Sequence, residues 1–508
     1  MDVIERQASE PTPPRRSFFG HPRGLRTLFF TEFWERFSYY GMRALLILFM
    51  TAPVAAGGLG WDTARAGMVY GTYTALVYLV ALPGGWLADR LLGARRATLY
   101  GGISIMCGHL CLALIGLATF YLGLALIIAG TGLLKPNVST MVGMLYAPDD
   151  RRRDAGFSIY YLGINLGAFV APLVTGWLAQ GETFKALLAS WGVTPERSWH
   201  FGFAAAAMGM AMGLVQYVAG GRHLGEAGRP PAHGGPLPRR SIYIGTGALA
   251  AALVLVLLAY GGALSAAAVT AGVGYLLLLV TVGFFAWLLA SGKWSPDERR
   301  RLIAILVLFA AAAVFWSLFE QAGSTLNLFA ERSTRNVILG VSFPASWWQS
   351  LNSLYIILLV PVFAWLWVWL GPRDPSSPVK FALGLLFAAL GFGVLAIAAQ
   401  MAGAGVRVSP AWLALVYLLH TVGELCLSPV GLSAMTRLAP ARIAGLVMGA
   451  WFLATSVGNY LGGAMASLYE TFSLPTLFGA ITAMALIATL LMAIASRPLA
   501  RMLARERE

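Results

Sequence analysis

The feature that most constrains this chain is a series of apolar runs, each long enough to cross a hydrocarbon layer. Runs of about 20 residues or more cover 27–52, 66–88, 97–118, 120–145, 155–180 and 199–219. A second set covers 300–331, 343–370, 378–401, 410–437, 443–470 and 473–495, and two more runs, 241–261 and 268–291, lie between the sets. In lipid each backbone N–H and C=O needs a partner within its own helix or a closed barrel, so runs of this length fold as helices. The expectation is an all-α polytopic membrane protein of 14 transmembrane helices, arranged six, two, six. Charge supports it: only 11% of the 508 residues are charged, against about 25% in soluble domains.

A net charge of +14 would suggest a nucleic-acid partner in a soluble protein. Here its distribution reports topology instead. Of 36 Lys and Arg, 27 fall in the two termini and the alternate loops beginning with Asp89 to Arg96; six fall in the opposite loops and three lie inside spans. The positive-inside rule then places both termini in the cytoplasm. Residues 1–26 are polar, basic and Pro-rich, with neither the apolar core nor the cleavage site of a signal peptide. They read as a cytoplasmic tail, followed by a six-helix bundle over 27–219 and a Gly/Pro/Arg linker over 220–240. Two extra helices over 241–291, a second linker at 292–299, a six-helix bundle over 300–495 and a tail over 496–508 complete the order. The paired central runs carry no charge, which points to packing on the outside. Two six-helix halves are the major facilitator architecture. Cys107, Cys111 and Cys426 fall within spans and imply no disulfide framework.

Charges inside spans are costly, about 2.5–3.5 kcal/mol each near mid-bilayer, yet Glu32, Glu35, Arg36 and Arg43 all occupy the first span. At about 100° per residue, positions 32, 35, 36, 39, 40 and 43 share roughly 140° of helix circumference. Snorkelling to one headgroup layer would serve a charge near a helix end, but Arg43 lies too deep for the whole stripe to escape that way. Two acids, two arginines and two tyrosines on one face therefore describe a polar pathway inside a bundle.

The remaining intramembrane charges are few. Of 22 acids, four fall inside spans: Glu32, Glu35, Glu320 and Glu424; the cations are Arg36, Arg43 and Lys135. Near-balance lets pairs between helices hold these charges, and a carboxyl that loses its cation favours a proton. That is the physics of proton coupling. Lys135 precedes Pro136, which bends its helix. Tyr161 and Asn165 lie one turn apart on span 5, where hydrogen bonding between helices competes with a substrate role. His420 lies one turn before Glu424 and reads as a packed histidine rather than its proton partner. Gly84 to Arg96 resembles the Gly-x-Leu-Ala-Asp-Arg-x-Gly-Arg-Arg loop of major facilitator transporters, with an insertion between the Asp89-Arg90 pair and Gly93.

These motifs together resemble the proton-dependent oligopeptide transporter (POT) family. Glu32-x-x-Glu35-Arg36-Phe37-x-Tyr39-Tyr40-Gly41 is similar to its ExxER signature, and Phe157 to Gly167 to its second signature. Phe319 to Ser324 and Gly423-Glu424-x-x-x-Ser428-Pro429 are similar to its helices 7 and 10. The resemblance implies a symporter that imports di- and tripeptides with protons across a bacterial cytoplasmic (inner) membrane, acting as a monomer without metal or cofactor. It implies that Arg36, Arg43 and Lys135 hold the peptide carboxylate, and that Glu424, Asn165 and Asn352 hold its α-amino group. It assigns Tyr40, Tyr73, Tyr161, Trp316, Phe319, Ser428 and Trp451 to side-chain pockets, and Glu32, Glu35 and Glu320 to proton coupling. An Arg43–Glu320 pair would close the outer gate and a Lys135–Glu424 pair the inner one. Animal members carry a histidine on helix 2, which this chain lacks between Ala66 and Ala88; carboxyls must carry the coupling here. Ser353 stands where many relatives have proline.

The competing reading keeps the fold and changes the solute to a nitrate-like anion or a peptide-like drug. An enzyme is not expected: the chain has no His-Glu-x-x-His, no phosphate-binding loop and no Asp pair in adjacent spans. Nor is a nucleic-acid partner expected.

Overall fold

The computed structural model describes residues 18–147, 149–229, 265–290, 294–440 and 443–504. The expected run 241–261 lies outside the described residues; every other run is helical. The first half comprises α1 (Arg23–Thr51), α2 (Thr63–Leu79), α3 (Ala81–Leu87), α4 (Gly93–Ala113), α5 (Leu117–Met144), α6 (Arg153–Gln180), α7 (Glu182–Ser190) and α8 (Ser198–Gly220). One central helix, α9 (Ala266–Ala290), follows. The second half comprises α10 (Pro296–Phe319), α11 (Thr325–Ser333), α12 (Ser350–Leu370), α13 (Ser377–Met401), α14 (Pro410–Leu438), α15 (Ala444–Ala466) and α16 (Leu474–Ala504). Ten helical stretches among the described residues are long and apolar enough to cross a membrane. The six charged residues of α1 keep it outside that criterion, although Leu45 to Met50 are buried.

Several boundaries differ from the sequence reading. α10 starts at Pro296, inside the expected 292–299 linker, because Ser295 and Glu298 form a reciprocal cap with bonds of 3.2 and 2.9 Å. α16 runs on to Ala504, so most of the expected 496–508 tail is helix. One short β element accompanies the helices among the described residues. A short hairpin pairs Val337–Ile338 with Val341–Ser342, turning through Leu339 and Gly340 at φ 50° and 81°, the conformation two-residue hairpin turns require. Strands of two residues are too short to leave an alternating pattern. The insertion before Gly93 folds as a wide π-turn, Ala88–Leu92. Just beyond it, in the first turn of α4, Arg95 holds the segment that follows α8, its side chain donating to the carbonyls of Ala227 (2.6 Å) and Gly225.

Short connections alternate the helices between two ends, here called the Arg23 side and the Thr51 side after the ends of α1. The two halves are joined mainly on the Thr51 side. Asn327 donates to the Ala44 carbonyl at 2.8 Å, Ser350 to Phe169 at 2.8 Å, Trp347 to Leu173 at 3.0 Å and Ser456 to Ala75 at 2.7 Å. α2 and α15 touch backbone to backbone, since a Cβ on Gly71 would meet the Cα of Gly463. Only glycine permits that approach. α9 lies outside the two halves, where Tyr460 donates to its Thr270 carbonyl at 3.2 Å.

Candidate functional site

The charged stripe of α1 divides into two clusters. In the first, Arg36 Nε lies 2.9 Å from Glu32 Oε1 and 2.5 Å from Glu35 Oε2. Tyr160, on α6, donates its hydroxyl to Glu32 Oε2 at 2.7 Å. Glu32, Glu35 and Arg36 are 3%, 0% and 4% exposed. Neither Glu35 oxygen accepts a hydrogen bond, and Arg36 Nη2 has no acceptor. A buried guanidinium with an unfilled donor is poised for an anion, because leaving such a group unmade is costly.

The second cluster spans the two halves. Arg43 Nη2 lies 2.6 Å from Glu320 Oε2; Arg43 also donates to the Glu320 carbonyl at 3.2 Å and to the Tyr70 hydroxyl at 2.7 Å. The chain makes room by ending α10 at Phe319 and turning through a 3₁₀ segment, Glu320–Gly323. That turn exposes the carbonyl to Arg43. Gly323 packs against Tyr70 and Arg43, where any side chain would collide with both. All of this lies on the sealed Thr51 side, and Arg43 and Glu320 are buried.

The third group is open. Tyr40, Lys135, Phe319, Asn352, Glu424 and Ser428 are half-buried and Tyr161 is exposed. Lys135 Nζ sits 3.7 Å from the centre of the Tyr78 ring, a cation–π contact. Among the described residues no carboxylate lies in ion-pair reach of Lys135, so the expected Lys135–Glu424 pair is not made in this conformation. Glu424 Oε2 instead accepts from Asn352 at 3.1 Å, and Asn352 also reaches Thr421 at 3.1 Å. Asn165 turns back to the Tyr161 carbonyl at 3.0 Å. An aromatic wall stands beside Glu424: Trp316 packs on Phe319 at 5.6 Å and on Trp451 at 6.4 Å between ring centres. Tyr73 is buried. His420 packs against Phe392, with ring centres 5.3 Å apart.

Sequence reasoning missed Tyr70, Tyr78, Tyr160 and Thr421. Tyr70 and Tyr78 flank Tyr73 on one tyrosine-rich stretch, and Tyr160 adjoins Tyr161, so a signal was present. Which hydroxyl meets which charge depends on helix packing. A further buried cation was also missed: Lys380, at the start of α13, pairs with Asp374 at 2.8 Å.

Two helical bundles, sealed at one side over a cleft lined by opposite charges, define a membrane transport protein of the major facilitator fold. The chain belongs to the POT family, whose model (PTR2: POT family) matches residues 95–484. It is 42% identical over 492 residues to the peptide transporter YePEPT of Yersinia enterocolitica, covering 93% of each chain. It is 38% identical over 502 residues to a di-/tripeptide transporter of Lactococcus lactis subsp. cremoris, covering 96% of this chain and 98% of that one. Among solved structures it is similar to the crystal structure of peptide transporter POT in complex with sulfate. The TM-score is 0.86 and the identity 44%, over 96% of this chain and 97% of that one.

Proposed function

We propose that this chain is a monomeric proton-coupled symporter that imports di- and tripeptides across a bacterial inner membrane by alternating access, with both termini in the cytoplasm. The observation that carries this is the charge layout of the cleft. The first half offers Arg36 and Lys135, and the second offers Glu424 held by Asn352. A zwitterionic peptide needs a cation for its carboxylate and an anion for its α-amino group. Simple anions give Glu424 nothing to bind. Tyr40, Tyr73, Tyr161, Trp316, Phe319, Ser428 and Trp451 form pockets that accept varied side chains through contact area rather than hydrogen-bond readout. Asn165 joins the α-amino site when it leaves the Tyr161 carbonyl.

In this reading the Thr51 side is extracellular, and the conformation is inward-facing with its outer gate closed by Arg43 and Glu320. A proton taken up on Glu32, Glu35 or Glu320 weakens that pair, opens the outside and frees cations for the peptide. Peptide binding recloses the outside, and separation of Lys135 from Glu424 opens the inside. Names of the relatives as di-/tripeptide transporters support the substrate class.

The experiment is dialanine-dependent proton uptake in proteoliposomes, with wild type beside Glu35→Gln and Lys135→Ala. Uptake in wild type and its loss in both variants is expected. Lys135 has no ion pair to lose here, so its variant keeps its thermal stability while dialanine affinity falls about 10- to 150-fold, the worth of one charged hydrogen bond. Proton movement with nitrate but not with dialanine would replace peptide by a small anion.

A further inference from the structure

We infer that Tyr160 is a positioning residue: its hydroxyl holds Glu32 as the ionised partner of Arg36, which leaves Glu35 as the α1 carboxyl that exchanges the proton. This rests on the symport reading above and assigns the roles of two acids that the sequence leaves equivalent.

Charge and hydrogen bonding separate the two acids. With both acids ionised, Glu32, Glu35 and Arg36 carry one excess negative charge in a site shut off from solvent, an arrangement costly at low dielectric. A single proton removes it. Glu32 Oε2 accepts from the Tyr160 hydroxyl at 2.7 Å, while its Oε1 lies in ion-pair contact 2.9 Å from Arg36 Nε. A donated hydrogen bond favours the carboxylate over the acid, and charge-assisted bonds of this type are the strong ones. Glu35 meets the same guanidinium at 2.5 Å, but neither of its oxygens accepts a hydrogen bond. Both acids contact Arg36, so what separates them is the Tyr160 bond, which protonating Glu32 disturbs and protonating Glu35 does not. The other titratable groups facing the cluster include Tyr39 and Tyr40 on α1, Tyr73 and Tyr78 on α2 and Lys135 on α5.

Coupling follows from the same count. A peptide carboxylate taken by the unfilled Nη2 of Arg36 adds a second negative charge to the cluster. A proton from the aqueous phase on Glu35 cancels that added charge and leaves the Tyr160–Glu32 bond in place.

The test identifies the protonated acid chemically. Dicyclohexylcarbodiimide modifies protonated carboxyls in apolar surroundings, and chymotryptic cleavage after Phe33 or Trp34 separates Glu32 from Glu35 for mass spectrometry. In wild-type protein in lipid vesicles, label on Glu35 is expected to exceed label on Glu32 by at least about tenfold, the lower worth of one hydrogen bond to a charged group. In Tyr160→Phe the ratio is expected to fall to near one. A merely structural tyrosine would change stability, followed by thermal unfolding on the same samples, and leave the ratio unmoved. Label on Glu32 in wild type, or the same ratio in Tyr160→Phe, overturns the proposal. Dialanine-driven proton uptake on the same vesicles separates the two claims: the labelling pattern without uptake sinks the symport reading and leaves the Tyr160 assignment standing.

Discussion

Glu320→Gln removes a charge but keeps the shape of the contact that ties the halves together. Arg43 retains its bonds to the Tyr70 hydroxyl (2.7 Å) and to the backbone carbonyl of residue 320 (3.2 Å). What is lost is the ion pair at 2.6 Å between two side chains that are each 5% exposed. Removing a partner outright from a buried pair costs about 3–5 kcal/mol, but two surviving bonds bring the loss nearer the 1.5–3 kcal/mol of one charged hydrogen bond. In the alternating-access reading proposed above the pair is made only while the Thr51 side is closed, so the loss falls on that conformation. The closed-to-open ratio should drop about 10- to 150-fold. Spin labels at Leu187→Cys on α7 and Leu339→Cys in the hairpin, both exposed, report the separation of the halves once Cys107, Cys111 and Cys426 are replaced. Wild type should show one dominant short distance, and Glu320→Gln a second, longer population. Superimposable distance distributions would refute the reasoning, because the pair would then contribute nothing to closure.

One further perturbation tests the same seam, and another tests an ion pair within the second half. Gly71→Val places a branched side chain against the Gly463 backbone; overpacking of this kind costs about 1–3 kcal/mol, visible as a lower Tm in detergent and a larger open population in the distance measurement. At the rim of the Thr51 side, Arg332 bonds Glu470 at 2.5 Å and holds that carboxyl below its ordinary value of 4.5. For a depressed acid the stabilisation is present above the ordinary value and is lost as pH falls through the folded one. Tm should therefore show a small component that disappears below about pH 4.5 and is absent in Arg332→Gln, worth at most ~1 kcal/mol because both side chains are partly exposed.

The sequence by itself determined that the chain is a bundle of membrane helices, since apolar runs of this length allow no other backbone solution. It also singled out the charges that a bilayer makes costly. Glu32, Glu35, Arg36, Arg43, Lys135, Glu320 and Glu424 stand out because each violates the apolar pattern around it, and periodicity alone puts the α1 charges on one face. Helix ends were less legible: the cap at Ser295 and the continuation of α16 are decided by local bonds rather than hydropathy. Partnership was decided only by the tertiary structure. Hydropathy shows that Arg43 and Glu320 need partners, but not that a 3₁₀ turn would present both a carboxylate and a carbonyl to the same guanidinium. Nor does it show that Lys135 would face Tyr78 instead of Glu424, or that Tyr160 rather than its neighbour Tyr161 would reach Glu32. Burial cost is a property of each residue in its own run, whereas pairing depends on how separate helices are turned and tilted against one another, and on which side of the molecule is closed.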